Sequence, residues 1–240
     1  VMKEETAYSY LSKHEQYSDY VELLNKVPVS RISSSSIGAL LSARGHFTVF
    51  APDNDAIQDY LDTLYTKNII DEPTWNGFRD STSLDSIRKV IVYNSIINGG
   101  DNLEAYDVAQ FPINDGGEFP LSNLYDRKLI VNYYDDTDSV TINGALMDPR
   151  NNNIRVLNGY IHNVHSVVAP TNNTLGYLLN SIYAEKQSGY YVSAMLVRAA
   201  GMLDTLQKYR DETYEMAYPT GQVPEMIAHT SGIGSPTRKL

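Results

Sequence analysis

Along residues 47–57 the hydrophobic pattern changes period. Phe47, Val49 and Ala51 alternate with Thr48 and Phe50, the two-residue repeat of a strand. Both faces are apolar, which predicts a central strand rather than an edge. Pro52 cannot donate to a ladder and ends it. Asp53 or Asn54 then caps a helix, with Asp55 as further acid in its first turn to suit the helix dipole. Ile57, Tyr60, Leu61, Leu64 and Tyr65 follow on one helical face, read as buried.

The same reading extends along the chain. Residues 8–27 read as helical, with Tyr20, Leu23, Leu24 and Val27 on one face. A serine-rich connection at 30–36 leads into a short helix at 37–41. A loop at 71–80 contains Pro73 and Trp75, and Ser81 to Ser83 offer caps for a helix carrying Leu84, Ile87 and Ile91. Ser95, Ile96 and Ile97 form a strand ended by Asn98-Gly99-Gly100. The middle is rich in strands: 119–124, 129–134, 140–142 and 145–147, with a turn at Asp135-Asp136-Thr137-Asp138 and another at Asn143-Gly144. Segments 154–157 and 161–168 flank Asn158-Gly159 and read as a hairpin. Helices gather in the N-terminal half and strands follow, so the class is α+β.

Four ordered pieces carry a family resemblance. The strand-to-helix segment at 47–57 resembles the first signature of the fasciclin-type (FAS1) domain. Asn158-Gly159-Tyr160-Ile161-His162, running on through an apolar strand to Pro170, is similar to its closing signature. Val92-Tyr93-Asn94 stands where the family has a Tyr-His segment, and Val140-Thr141-Ile142-Asn143-Gly144 matches its Val-Asn-Gly strand. The resemblance covers residues 8–170 and implies a FAS1-like sandwich or wedge with its helices clustered from the N-terminal half. The residues matching the family's motifs are Thr48, Phe50, Ala51, Pro52, Asn54, Asp55, Tyr93, Asn158, Gly159, Ile161, His162 and Pro170, with mainly structural roles expected. Two departures bear on function. Asn94 replaces a histidine, and His165 fills a place where the family often has an acid linked to integrin binding, so integrin binding is not carried over.

Residues 171–240 read as the helical start of a second repeat, cut off before its first signature strand, or else as a C-terminal extension of the first domain. Tyr191-Val192-Ser193-Ala194-Met195-Leu196 echoes Tyr20-Val21-Glu22-Leu23-Leu24. Val192, Met195, Leu196, Ala199, Leu203 and Leu206 make an apolar face, and burying it would contribute several kcal/mol at about 25 cal/mol per Å2. That face is expected to pack on the first domain or on another copy of the chain, which makes residues 190–206 a candidate for self-association.

Composition narrows the function. The 240 residues are 42% hydrophobic and 20% charged, ordinary for a globular chain with a real core. A net charge of −10 offers no basic stripe for nucleic acid and disfavours anionic lipid. No apolar run approaches the ~20 residues of a spanning helix. With no cysteine, disulfides, thiol catalysis and thiolate metal sites are excluded. The chain begins at Val1 without a targeting segment, which reads as a mature or trimmed chain. Nineteen tyrosines against one tryptophan and five phenylalanines suit wet, half-exposed surfaces, or else core rings with satisfied hydroxyls.

Catalytic motifs are missing: no nucleophile elbow, phosphate loop, dinucleotide fingerprint or His-Glu-x-x-His. His162 and His165, three apart on a strand, fall on opposite faces rather than together on a metal. Asp135, Asp136 and Asp138 sit on a turn, solvated or as a weak calcium site. No cofactor is expected. The leading reading is a non-enzymatic binding or adhesion module, extracellular or at the cell surface, that holds a surface protein or a glycan. A lipid-anchored bacterial surface protein fits the composition. The alternatives are a spacer repeat in a longer surface protein and, remotely, a hydrolase.

Overall fold

Phe47–Pro52 forms strand β1, and all six residues are buried. The computed structural model describes residues 5–168 and 191–202. The chain divides into two units, Val1–Pro170 and Thr171–Leu240. In the first unit five α-helices precede or flank the early strands: α1 (Ala7–Lys13), α2 (Ser18–Lys26), α3 (Ile37–Leu40), α4 (Asn54–Thr66) and α5 (Ser81–Asn94). The strands after β1 are β2 (Ile96–Asn98), β3 (Gly117–Ser122), β4 (Lys128–Tyr134), β5 (Ser139–Ile142), β6 (Ala145–Leu146), β7 (Ile154–Val156) and β8 (Gly159–Val164). The class is α+β.

Two four-stranded sheets result, with orders β2-β1-β8-β7 and β3-β4-β5-β6. In the first, β1 is interior: antiparallel to β2 and parallel to β8. The second is antiparallel throughout. Bridges at Ile97–Asn123 and Met147–Val164 tie one sheet to the other. Strand alternation then decides what each face buries. Phe50 and Val164 of the first sheet share a core with Phe119, Leu129, Val131 and Ile142 of the second. The other face, with Val49 and Ile161, is left to α1 and α4, which contact β8 and β1.

Several expectations shift by a few residues for local reasons. The helix expected over 8–27 breaks at His14, whose backbone is extended and whose Nδ1 meets the Tyr10 carbonyl at 2.7 Å. Asp53 caps α4, accepting from the Ala56 amide at 2.9 Å. On that helix Ile57, Leu61 and Leu64 are buried, while Tyr60 is half-buried and Tyr65 is 48% exposed. The cap of α5 is Asp80 rather than a serine, because its carboxylate takes both the amide and the hydroxyl of Ser83. Asn143 and Gly144 turn as expected, at φ 48° and 83°. In the β7–β8 hairpin the pair Val156–Gly159 encloses Leu157 and Asn158, so the turn lies one residue earlier than the Asn-Gly dipeptide suggested. Strand β8 ends at Val164 rather than 168.

In the second unit Tyr191–Ala199 is helical. Ala194 is buried and Tyr191 and Val197 are half-buried. Val192, Met195 and Leu196 are 59%, 40% and 60% exposed, so the face expected to be covered lies open over the described residues. Leu203 and Leu206 lie outside the described residues, as do Pro170 and most of the segment 171–240.

Candidate functional site

The two signature segments meet in the parallel pair β1–β8, with Phe47 opposite Gly159, Phe50 opposite His162 and Pro52 opposite Val164. The sequence-selected residues divide there by role. Thr48 is fully buried, and its hydroxyl accepts from the Tyr106 amide at 2.8 Å. The Ala51 carbonyl takes the side-chain amide of buried Asn163 at 3.2 Å. Asn54 reaches back to the helices before β1: its oxygen accepts from the Asp19 amide, and its nitrogen donates to the Glu15 carbonyl and the Ser18 hydroxyl. Asp55 is exposed in the first turn of α4. Ile161 is buried opposite Val49.

Asn158 is buried, and its side chain joins three segments. Its oxygen accepts from the Ala7 amide at 2.8 Å. Its nitrogen donates to the carbonyls of Leu41 and Ala43 at 2.8 and 2.7 Å. The start of α1, the end of α3 and the head of β8 are thus held by one amide. Tyr93 plays a similar part on α5, donating to the carbonyls of Pro28 and Val29 at 2.8 and 2.9 Å. Asn94 is buried, and its side-chain oxygen accepts from the Asn123 amide at 3.3 Å at the junction with the second sheet.

His162 is fully buried, stacked on Phe50 and edge-on to Phe111. Nδ1 accepts from the Asn153 amide at 3.0 Å, which leaves Nε2 to donate to the Tyr106 carbonyl at 2.9 Å. Burial pushes its pKa down from 6.5 to about 4, against the opposing pull of the Tyr106 carbonyl and Asp107. Between those two values the unfolded chain binds a proton that the folded chain does not. Stability therefore falls as pH drops through 6.5, and the loss due to His162 is complete below about 4. The expected loss is about 3 kcal/mol, at roughly 1.4 kcal/mol per unit. Urea unfolding at pH 7 and pH 4 measures it, and His162→Gln should flatten the slope across that window; an unchanged slope would assign the acid sensitivity elsewhere.

His165 lies one residue beyond β8, 42% exposed, so the strand parity expected to oppose it to His162 does not govern it. Its Nδ1 is 3.0 Å from Asp53 and its Nε2 3.0 Å from Asp148. Burial works to raise the pKa of Asp148, but the Asn151 and Arg150 amides and His165 outweigh it and hold the carboxyl below its usual range. The Tyr17 hydroxyl feels the same field; burial first, with Asp53 and Asp148 adding to it, takes it up to about 12. Each ring nitrogen faces a different carboxylate, so the three groups do not converge on one point. Among the described residues no set of three such side chains is placed to hold a metal ion.

The chain is similar to a FAS1 domain pair from the insect cell adhesion molecule Fasciclin I, at 15% identity and a TM-score of 0.46. The match covers 69% of this chain and 51% of that one, so the chain spans about half of its length. No family model matches the chain, and no curated protein does.

Sequence reasoning missed the partners of these residues more than their positions. Asp53 and His165 are 112 residues apart, and Asp148 joins them from a loop. No spacing rule connects them; the parallel β1–β8 register brings Asp53 to His165, and the bond from the Asp148 amide to the Asn163 carbonyl brings Asp148. Asp135, Asp136 and Asp138 are exposed on their turn. Of the thirteen described tyrosines, Tyr17, Tyr20 and Tyr93 are buried, Tyr65 and Tyr134 are exposed, and the rest are half-buried. Most therefore sit at the boundary of the fold, where a ring packs and a hydroxyl edge meets water. No helix among the described residues is long and apolar enough to cross a membrane.

Proposed function

We propose that the chain is a non-enzymatic binding module, working outside the cell or at its surface, that holds a protein or a glycan. The observation that carries this reading is the tyrosine distribution. Eight half-buried rings give the surface rigid amphipathic contacts that lose little side-chain entropy when a partner binds. The imidazoles at the β1–β8 pair support the non-enzymatic part, because both nitrogens of His162 and of His165 already have partners. On this reading the residues of the two signature segments hold the fold, and recognition uses other surfaces. A glycan array together with capture from a panel of purified surface proteins tests it. Saturable binding in either is expected; hydrolytic turnover of ester, peptide or glycoside substrates would overturn it.

The reading extends to residues 171–240 as the start of a second repeat. The helix Tyr191–Ala199 supports it, since Tyr191 and Ala194 turn inward in the same phase as Tyr20 and Leu23 of α2. The open face of Val192, Met195 and Leu196 is then available for self-association through residues 190–206. Light scattering across a hundredfold concentration range is expected to show a monomer–dimer equilibrium that Leu196→Asp abolishes. A strictly monomeric wild type would rule this contact out.

A further inference from the structure

Two surface segments of the first unit are fastened to β8 through one ring. His162 Nε2 donates to the Tyr106 carbonyl at 2.9 Å, and its Nδ1 accepts from the Asn153 amide at 3.0 Å. Tyr106 opens the segment 106–111, and Asn153 ends the loop from β6 to β7. The segments also hold each other, since the Val108 amide donates to the Asn153 side-chain oxygen at 2.9 Å. The Tyr106 hydroxyl accepts from the Leu121 amide of β3 at 3.2 Å. Phe111, at the end of the first segment, meets Phe50, Phe119 and His162 edge-on and is 4% exposed.

This junction works only with a neutral ring. A proton on Nδ1 turns an N–H against the Asn153 N–H and leaves that amide without its acceptor, while the bond to the Tyr106 carbonyl survives. Asp107, beside Tyr106, is the charge that favours the protonated ring. Thr48 and Phe50 from β1, Phe111 and Asn153 bring no charge to it, and Asp148 on the β6–β7 loop is paired with His165 at 3.0 Å. Burial outweighs the pull of the Tyr106 carbonyl and Asp107, and takes the pKa down to about 4. When the two segments lift, the ring meets water and takes a proton from about 6.5 downward. Opening therefore becomes easier as pH falls from 6.5 toward 4.

We propose that His162 is an acid-operated latch: its protonation releases the segment 106–111 and the end of the β6–β7 loop together, while β1 and β8 stay paired. The β1–β8 ladder runs from Phe47 opposite Gly159 to Pro52 opposite Val164, and its backbone bonds do not involve the ring. Release lifts Phe111 from Phe50 and Phe119, so an aromatic patch is uncovered in acid and covered again at neutral pH. The device acts on the shape of the module and is independent of the partner it holds.

Native-state amide hydrogen exchange of the whole chain tests it, read by NMR from pH 7 to pH 4.5 in low urea and corrected for intrinsic rates. The Tyr106, Val108, Leu121 and Asn153 amides are expected to share one opening, whose equilibrium constant rises about tenfold or more over that range. That opening should be insensitive to urea and, at every pH, more frequent than the one that exposes the β1 and β8 amides. His162→Gln should flatten the rise. Asp107→Asn keeps an acceptor for the Ala109 amide but loses the charge, and should move the rise to lower pH. An opening constant that ignores pH, a urea-sensitive opening shared with β1 and β8, or the same rise in a folded His162→Gln variant would each overturn the latch. If that variant does not fold, the wild-type profile and Asp107→Asn decide alone.

Discussion

Gly159→Ala is expected to leave the chain largely unfolded at 37 °C. Gly159 has φ 147°, a conformation that side-chain-bearing residues rarely adopt. A Cβ built there lies 1.8 Å from the Phe47 carbonyl oxygen and 2.7 Å from its carbon. The obstacle is backbone, so no rotamer change clears it. The neighbouring strand cannot retreat either, because Phe47 donates to the Asn158 carbonyl at 2.8 Å and opens the whole β1–β8 register. Backbone strain and overpacking together are expected to cost about 4 kcal/mol or more. That is a large share of the roughly 5–15 kcal/mol that holds a domain together. Urea unfolding of the variant, followed by far-ultraviolet circular dichroism, checks it. A midpoint close to wild type would mean that β1 and β8 are not tightly apposed at this end.

Asn158→Ala should have the second largest effect, about 3 kcal/mol, from an amide that is buried and fully used. Truncation leaves the Ala7 N–H and the Ala43 carbonyl without the partners they have in the folded chain. The Leu41 carbonyl suffers less, since it also accepts from the Tyr8 amide. Asn158→Asp, although nearly the same shape, should be worse than alanine at neutral pH. A carboxylate keeps the bond from Ala7 but turns a negative oxygen toward two carbonyls. Unfolding curves for the two variants decide the point. If aspartate is tolerated better than alanine, the three-segment junction is wrong.

How much of this was legible in the sequence depended on the range of the interaction concerned. The alternation at Phe47 to Ala51 and the caps around Asp53 are local, and β1 and α4 follow them closely. The Asn143-Gly144 turn is equally local and forms as read. Where two local signals competed, the reading slipped by a residue. Three serines at 81–83 hid Asp80, whose carboxylate is the stronger acceptor for two Ser83 donors. The Asn158-Gly159 dipeptide resembled a tight turn, yet Asn158 is drawn inward by Ala7, Leu41 and Ala43, and the turn moves back onto Leu157.

Long-range chemistry was the part that could not be read. That His162 is held neutral depends on Asn153 and Tyr106, which only the folded strands bring to it. The bridge from His165 to Asp53 and Asp148 depends on β8 ending early at Val164. On the C-terminal helix the heptad-like spacing of Val192, Met195 and Leu196 marked an apolar stripe correctly as a stripe. It did not say that Ala194, with Tyr191 and Val197 half-covered beside it, would be the buried residue instead.

The two signature segments are expected to fasten the fold while recognition uses other surfaces. Native-state amide hydrogen exchange on the wild-type chain at pH 7 tests it most directly. The expected result is that the hydrogen-bonded amides of β1 and β8 exchange last, only through global unfolding, while those of β5 and β6 exchange earlier by local opening. Amides of β1 and β8 exchanging as fast as those of β5 and β6 would contradict it, and would return Asn158, Gly159 and His162 to consideration as a mobile ligand-binding surface.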